Sequence, residues 1–146
     1  MDIALAFENN FNNFDIQLNG ADLLVNHDLL TSVIMSLYCY RRAAPDDLID
    51  GSNPQGWWGD SYAAVQGYQL GSRLWLLSRQ KNTQNNANLA RQYCLEALQW
   101  LIDDQVASSV QVETEIIDYF TLAIGVTINK PTSVSNFKFN YVWSQF

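Results

Sequence analysis

A chain of 146 residues with a formal net charge of −7 and 48% hydrophobic residues is typical of one acidic domain with a sizeable core, here residues 1–146. Acids outnumber bases by 15 to 8 and the bases form no stripe, which argues against nucleic-acid binding because phosphate contacts supply most of that affinity. No run of about 18 apolar residues occurs, so we expect no transmembrane helix and no membrane partner. The first residues lack the basic start of a signal peptide.

Residues 1–20 form an arm in which apolar and polar side chains alternate weakly. The alternation predicts two short strands, Ile3–Phe7 and Phe14–Leu18, around an asparagine-rich turn. The dipeptide Asn19-Gly20 is a second turn signal near the end of this arm.

A helical pattern follows over residues 28–40. Its apolar residues recur on one helical face and are Leu29, Leu30, Val33, Ile34 and Leu37. Asn26 or Asp28 can cap the start of this helix. Arg41 and Arg42 would lie at its end, where they suit the negative pole of the helix dipole.

The middle of the chain, residues 43–70, contains two prolines and four glycines and predicts a long loop rich in Trp and Gly. A loop of this length in a small domain usually forms a functional site or an interface. Beyond it, Ser72 can cap a short helix over Arg73–Arg79. Thr83 then opens the longest helix, which should run to about Asp103 with a wide apolar face.

After Gln105 the apolar period changes from 3.6 residues to 2. Three alternating segments, 110–116, 120–128 and 137–143, predict an antiparallel meander within a C-terminal sheet over 106–146. Helices first and strands last give an α+β domain: an N-terminal arm with strands, two to three helices, and a three-stranded sheet packed on the long helix.

We expect no later strand to cover the last predicted strand. Its apolar residues, Phe137, Phe139, Tyr141 and Trp143, should pack inward on the long helix. Its backbone edge should remain available, and an available edge is a template for pairing with another chain.

Recognisable catalytic motifs are absent: the sequence has no nucleophile elbow, no Walker loop and no dinucleotide fingerprint. The one histidine, His27, and the separated Cys39 and Cys94 have no metal-ligand spacing, so we expect no metal and no cofactor. Glu113 and Glu115 are the best carboxylate pair, roughly 6.5–7 Å apart by strand rise. That spacing would suit an inverting glycoside hydrolase, but nothing predicts the apolar pocket that a general acid needs.

Two blocks, Gly56-Trp57-Trp58-Gly59-Asp60 and Leu70-Gly71-Ser72-Arg73-Leu74-Trp75-Leu76-Leu77-Ser78-Arg79, hold three of the five tryptophans. They have the form of a structural signature. We predict that Trp57, Trp58 and Trp75 form one packed aromatic group, steadied by at least one of Arg41, Arg42 and Arg73.

Arginine side chains stack on aromatic rings and bind carboxylates at two points. Two roles therefore stay open for the arginines that flank the loop. They could anchor a neighbouring subunit, or they could form an internal clamp to Asp47 or Asp60 that organises the loop.

Several blocks in order carry a resemblance to a known family. They are Asp2-Ile3-Ala4-Leu5, Asp22-Leu23, Leu29–Leu37 leading to Arg41-Arg42-Ala43, the two tryptophan blocks, and Glu96-Ala97-Leu98-Gln99-Trp100-Leu101. Over nearly its whole length the chain resembles the phage Mu late-protein family usually called gene product forty-six. That family is similar to the small sheath-proximal wedge subunit of other contractile-tail phage baseplates and of type VI secretion systems.

The resemblance implies a non-enzymatic virion protein of the tail baseplate, assembled in the host cytoplasm. Its partners would be other wedge proteins, the tail sheath protein and the hub and spike complex. It would join the wedge to the hub and act as a template for the first sheath ring, with sheath arms added to its strands.

Candidate structural and interface residues follow from the two blocks and the last strand. They are Arg41, Arg42, Trp57, Trp58, Gly59, Asp60, Gly71, Ser72, Arg73, Trp75, Phe139, Tyr141 and Trp143. Two other classes stay open: a small tail-associated peptidoglycan hydrolase of the lysozyme type, and a host-derived interaction module.

Overall fold

The computed structural model of the chain describes residues 2–8, 13–26 and 28–142. It has the predicted α+β architecture: short N-terminal strands, helices in the middle and a C-terminal antiparallel sheet. The asparagine-rich turn at 9–12, His27 and Trp143, all named above, lie outside the described residues.

The N-terminal arm is built from short antiparallel ladders. Its strands are β1 (Asp2–Ile3), β2 (Leu5–Glu8), β3 (Asn13–Ile16), β4 (Leu18–Asn19), β5 (Asp22–Leu23) and β6 (Val25–Asn26). They pair as β1 with β6, β2 with β3, and β4 with β5. The arm therefore contains more and shorter strands than the two predicted, because the chain leaves the ladder at Ala4 and at Gln17.

Ala4 lies at the centre of the arm and is fully buried. Its N–H donates to the Leu24 carbonyl (2.8 Å), and its carbonyl accepts from the Gln17 N–H (3.1 Å). The arm docks on the first helix through a hydrogen bond from Thr31 Oγ1 to the Ile3 carbonyl (2.8 Å).

Helix α1 spans Leu30–Tyr38 and ends before the predicted Tyr40. Asp28 receives the Leu30 N–H at 3.1 Å, as expected of a residue near the helix start. At the other end Cys39 is extended, with φ −68° and ψ 148°. Arg41 consequently lies outside the helix, so its predicted interaction with the helix dipole is wrong.

The predicted long helix is broken into two. Helix α2 spans Gln84–Ala97, with Thr83 accepting from the Asn86 N–H at its start, and helix α3 spans Trp100–Asp103. Leu98, with ψ near 2°, interrupts the helix and is completely buried. No glycine or proline marks the break, so the tertiary packing of buried side chains decides it.

The C-terminal sheet has the predicted meander order β7-β8-β9. Its strands are β7 (Ser109–Ile116), β8 (Thr121–Asn129) and β9 (Val134–Val142). Alternate residues point into the core, and the most buried are Val112, Leu122, Ile124, Val126, Ile128, Phe139 and Tyr141. This confirms the predicted apolar face.

Different helices cover different parts of the sheet. Helix α2 lies on β7 and presents small buried side chains to the core, among them Ala87, Ala90 and Cys94. Phe139 and Tyr141 of β9 instead lie beside Tyr38 of α1, with ring centroids 5.9 and 6.0 Å away. No described helix is long and apolar enough to cross a membrane.

Hydrogen-bond alternation defines the two edges of the sheet. The turn bond from the Lys130 N–H to the Ser133 carbonyl (2.8 Å) sets the β8–β9 register. In this register the backbone N–H and C=O groups of alternate β9 residues point away from β8. Those outward residues include Asn136, Lys138 and Asn140. Within the described ranges no backbone partner is found for these three on the outer side.

The opposite edge is partly occupied by the protein itself. Arg91 of α2 donates through Nε to the Val112 carbonyl (2.8 Å), which points outward from β7. The Thr114 hydroxyl donates to the Ala87 carbonyl at 3.1 Å and adds a second link to α2. The helix thus covers part of the β7 edge.

Alkaline conditions should destabilise this core. Burial raises the pKa of the Tyr38 and Tyr141 hydroxyls above their ordinary value of 10.0, and it raises the pKa of the Cys94 thiol to about 12. In the unfolded chain these groups would ionise at their ordinary pKa values, so the contribution of their burial to the free energy of unfolding is complete at neutral pH. It is lost as the pH rises beyond about 9–10.

Urea denaturation over a pH series should show this loss as a falling free energy of unfolding. The Tyr38→Phe and Tyr141→Phe variants should fall less steeply than the parent, and Tyr62→Phe, at an 82% exposed residue, should match the parent. Identical pH slopes in all four proteins would contradict the assignment.

Candidate interaction surface

A short parallel bridge joins the chain after α1 to the second sequence block. Tyr40 pairs with Ser72: the Ser72 N–H donates to the Cys39 carbonyl and the Arg41 N–H donates to the Ser72 carbonyl, both at 3.0 Å. These bonds replace continuation of the helix and explain its early end.

Gly71 allows that close approach. Its φ of +94° is the left-handed region, and a Cβ at this position would lie 2.2 Å from the Cys39 carbonyl oxygen. The neighbouring Ser72 is buried, and its hydroxyl donates to the Leu37 carbonyl while accepting from the Leu74 N–H (3.3 Å). Ser72 therefore binds the first N–H of the next turn, which is a 3₁₀ helix over Leu74–Leu77 rather than the predicted helix over Arg73–Arg79. The N-cap residue of that turn is Arg73, so the predicted cap at Ser72 is wrong.

Arg73 is the centre of an ion-pair clamp. Its Nη1 binds both oxygens of Asp47 (3.0 and 2.9 Å), while Nε and Nη2 meet Glu96 Oε2, each at 3.0 Å. The guanidinium also lies 4.6 Å from the centre of the Tyr93 ring. Partial burial lowers the pKa of Arg73, but the bonds to Asp47 and Glu96 outweigh this and raise it.

Arg41 joins the same clamp from the other side. Its Nη1 lies 3.2 Å from Glu96 Oε1, and its Nη2 donates to the Gln69 carbonyl at 3.0 Å. The internal-clamp interpretation is therefore confirmed for Arg73 with Asp47. Glu96 was absent from the predicted site. Its place near the end of α2, four residues before Trp100, gave no indication that it would meet two arginines.

Trp75 belongs to this clamp region. Its indole N–H donates to the Arg41 carbonyl (2.8 Å) and its ring stacks on Tyr40, with centroids 6.1 Å apart. The prediction that it packs with Trp57 and Trp58 in one group is wrong, because the Tyr40–Ser72 bridge brings Tyr40 beside it instead.

Trp57 and Trp58 form a separate pair on the surface. Their centroids are 5.7 Å apart and the side chains are 50% and 75% exposed. Trp58 opens a 3₁₀ turn, Trp58–Tyr62, and its ring contacts the exposed Tyr62 at 6.2 Å. A stability cost of the size expected for a buried tryptophan does not apply to such exposed rings.

Gly59 and Asp60 hold the tryptophan pair in this exposed position. A Cβ on the buried Gly59 would lie 2.3 Å from Trp57 Cη2, so the indole ring covers the glycine. Asp60 Oδ1 accepts from the Leu70 N–H at 3.0 Å and closes the loop, without an arginine. Arg42 lies exposed nearby and has no carboxylate partner among the described residues.

The remaining predicted residues divide in two. Phe139 and Tyr141 belong to the core of the sheet, and Trp143 lies outside the described residues. The carboxylate pair, Glu113 and Glu115, lies on the exposed face of β7. Neither side chain has the water-poor surroundings that a general acid requires. No metal-ligating cluster is found in the described part of the chain.

Comparison with known proteins defines the family. The profile described as "Phage protein GP46" matches residues 29–135, which include the bridge, the clamp, the tryptophan pair and most of the sheet. The chain belongs to this family, as its sequence blocks indicated.

Two named relatives are similar over most of their length. The chain is 40% identical over 119 residues to "Baseplate protein gp46" of Escherichia phage Mu, covering 80% of each protein. It is 41% identical over 111 residues to "Mu-like prophage FluMu protein gp46" of Haemophilus influenzae, covering 76% of this chain and 73% of that protein.

The clamp should be sensitive even to a substitution that conserves the charge. Arg73→Lys keeps the charge but loses the fork that binds Asp47 and Glu96 together. We expect the free energy of unfolding to fall by about 1–3 kcal/mol, between the values typical of exposed and buried pairs. Urea denaturation monitored by tryptophan fluorescence measures it.

Arg79→Lys is the matched control, since Arg79 pairs with Asp50 where both side chains are mostly exposed, 63% and 74%. Its cost should stay below about 1 kcal/mol. Equal losses in the two variants would show that the clamp has no special contribution.

Proposed function

We propose that this protein is a structural, non-enzymatic component of a contractile phage tail baseplate, where it joins the wedge to the hub and acts as a template for the first sheath ring. It would act in the virion and be assembled in the host cytoplasm. The observation that carries this proposal is the open outer edge of β9. The name of the Mu relative supports the baseplate location.

The β9 edge is suited to pairing with a strand of another protein. The backbone N–H and C=O groups of Asn136, Lys138 and Asn140 point outward. The buried side chain of Phe139 holds the strand against the core. A long uncovered edge invites unwanted association, so proteins usually protect it. Arg91 occupies one outward carbonyl of the β7 edge here, so β9 is the more open edge, which a sheath or wedge strand would cover.

The clamp supports a scaffold role in a different way. The charged groups of the clamp form ion pairs with one another, Arg73 with Asp47 and Arg41 with Glu96. None of these groups is therefore left free to act as a general acid or base. Such an arrangement makes a long loop rigid, which lowers the entropy cost of forming an interface.

A proline at Asn140 should block tail assembly more than folding. The Asn140 N–H points away from β8, so Asn140→Pro removes a donor from the outer edge and leaves the β8–β9 ladder intact. Thermal unfolding of the purified variant should remain close to the parent, whereas complementation of a phage lacking this protein should fail. Asn140→Ala, which keeps the N–H, is the control and should assemble.

Normal particles from a folded Asn140→Pro protein would refute strand addition at β9. So would assembled baseplates in which both sheet edges face bulk solvent, as seen by cryo-electron microscopy.

The purified protein should not hydrolyse peptidoglycan. Glu113 and Glu115 are exposed on β7, and a dye-release assay should therefore give the buffer rate. Turnover well above buffer that disappears in Glu113→Gln or Glu115→Gln would favour the hydrolase class instead.

A further inference from the structure

Two of the four tryptophans in the described residues have no protein acceptor for their indole N–H. Trp75 donates to the Arg41 carbonyl and Trp100 donates to Ser36 Oγ (3.0 Å). Trp57 and Trp58 have no such bond within the described ranges, and both rings are at least half exposed. A large exposed aromatic pair with free donors is typical of an interaction surface.

The backbone is shaped to hold these two rings outward. Gln55 and Gly56 both have positive φ, 56° and 104°, immediately before the pair. A Cβ at Gly56 would lie 2.9 Å from the Arg42 Cβ, and one at Gly59 would meet the Trp57 ring. The glycines on either side of the pair are therefore needed to place Trp57 and Arg42 where they are.

A groove of about 480 Å³ runs past the pair. We call it the tryptophan groove, and its lining includes Arg42, Gln55, Trp57, Trp58, Tyr68 and Gln69. Asp60 also lines it, with Oδ1 already accepting from the Leu70 N–H.

Arg42 and the two indole N–H groups of the tryptophan groove have no acceptor within the described part of the chain. Arg41, Arg73 and Arg79 each bind a carboxylate of this chain, whereas Arg42 binds none among the described residues. The groove therefore presents flat apolar rings, two indole N–H donors and one cation without a carboxylate partner, beside the Asp60 carboxylate, whose Oδ1 is already used by the Leu70 N–H. It is complementary to a ligand with apolar rings or stems, exposed carbonyls and a carboxylate.

We propose that the tryptophan groove binds an extended, proline-containing acidic segment of a neighbouring protein. A polyproline II backbone has no internal hydrogen bonds, so its carbonyls can accept from Trp57 and Trp58. Proline rings fit between aromatic planes, as in other grooves that recognise such segments. The carboxylate pairs with the Arg42 guanidinium in a two-point contact.

A single cation can pair with one carboxylate but cannot neutralise a run of phosphates, which disfavours a polyphosphate ligand at this groove. The neighbour would be a baseplate protein if the proposed function holds, but the groove chemistry does not depend on it.

Nuclear magnetic resonance of the indole N–H groups tests the proposal on the full chain. The probe is the synthetic peptide acetyl-Pro-Pro-Asp-Pro-Pro-amide, with Asp→Asn and Pro→Ala versions as controls. The first peptide should move the Trp57 and Trp58 signals and leave those of Trp75 and Trp100 in place. Arg42→Gln should weaken binding about tenfold and remove the preference for Asp over Asn. Arg79→Gln is the matched arginine control and should bind as the parent does.

Three results would overturn the proposal. One is an absence of signal movement up to roughly 10 mM peptide, beyond the range of weak specific binding. Another is equal binding of the Asp and Asn peptides by the parent protein. The third is movement of the same two signals by chitotetraose but by none of the peptides, which would assign the groove to carbohydrate.

An assembly experiment separates this proposal from the baseplate role. The Trp57→Ser/Trp58→Ser protein should fold, since both side chains are exposed, yet fail to complement a phage lacking this protein. Full complementation by that variant would refute a partner at the groove and leave the baseplate role intact. Normal tails in the complete absence of the protein would refute the baseplate role itself.

Discussion

The carboxylate of Glu96 is the contact on which the middle of this protein depends. Its two oxygens hold Arg41 and Arg73, and Arg73 continues to Asp47. Residues 43–70, all of which the structure describes, contribute no hydrophobic side chain to the buried core. Directional charge-assisted bonds therefore do here what apolar packing does in the sheet.

Similar sequence chemistry is used for opposite purposes in the two blocks. Gly71 lets two chain segments touch, and the tryptophan beside that contact, Trp75, is tied down by a hydrogen bond. Gly59 lets a ring lie over the backbone, and Trp57 is thereby held partly in solvent. One block closes the structure and the other presents a surface.

The fold class and sheet order could be predicted because apolar period reports burial directly, as along Leu122–Ile128. The break at Leu98 and the early end of α1 could not, because distant contacts decide them: buried packing around Leu98, and the Tyr40–Ser72 bridge. At the site, arginines and tryptophans were identified by type. Their partition into a half-buried clamp and an exposed pair depends on Glu96 and on the glycines, whose effects appear only in three dimensions.

The clamp closes long segments of chain, since Arg73 reaches 26 residues back to Asp47 and 23 residues forward to Glu96. Guanidinium ions have the same planar donor fork as arginine and compete for carboxylates, whereas urea is neutral. The two denaturants should therefore unfold the parts of the protein in different orders. Guanidinium chloride would release the middle of the chain as a separate cooperative unit at concentrations where the sheet is still intact.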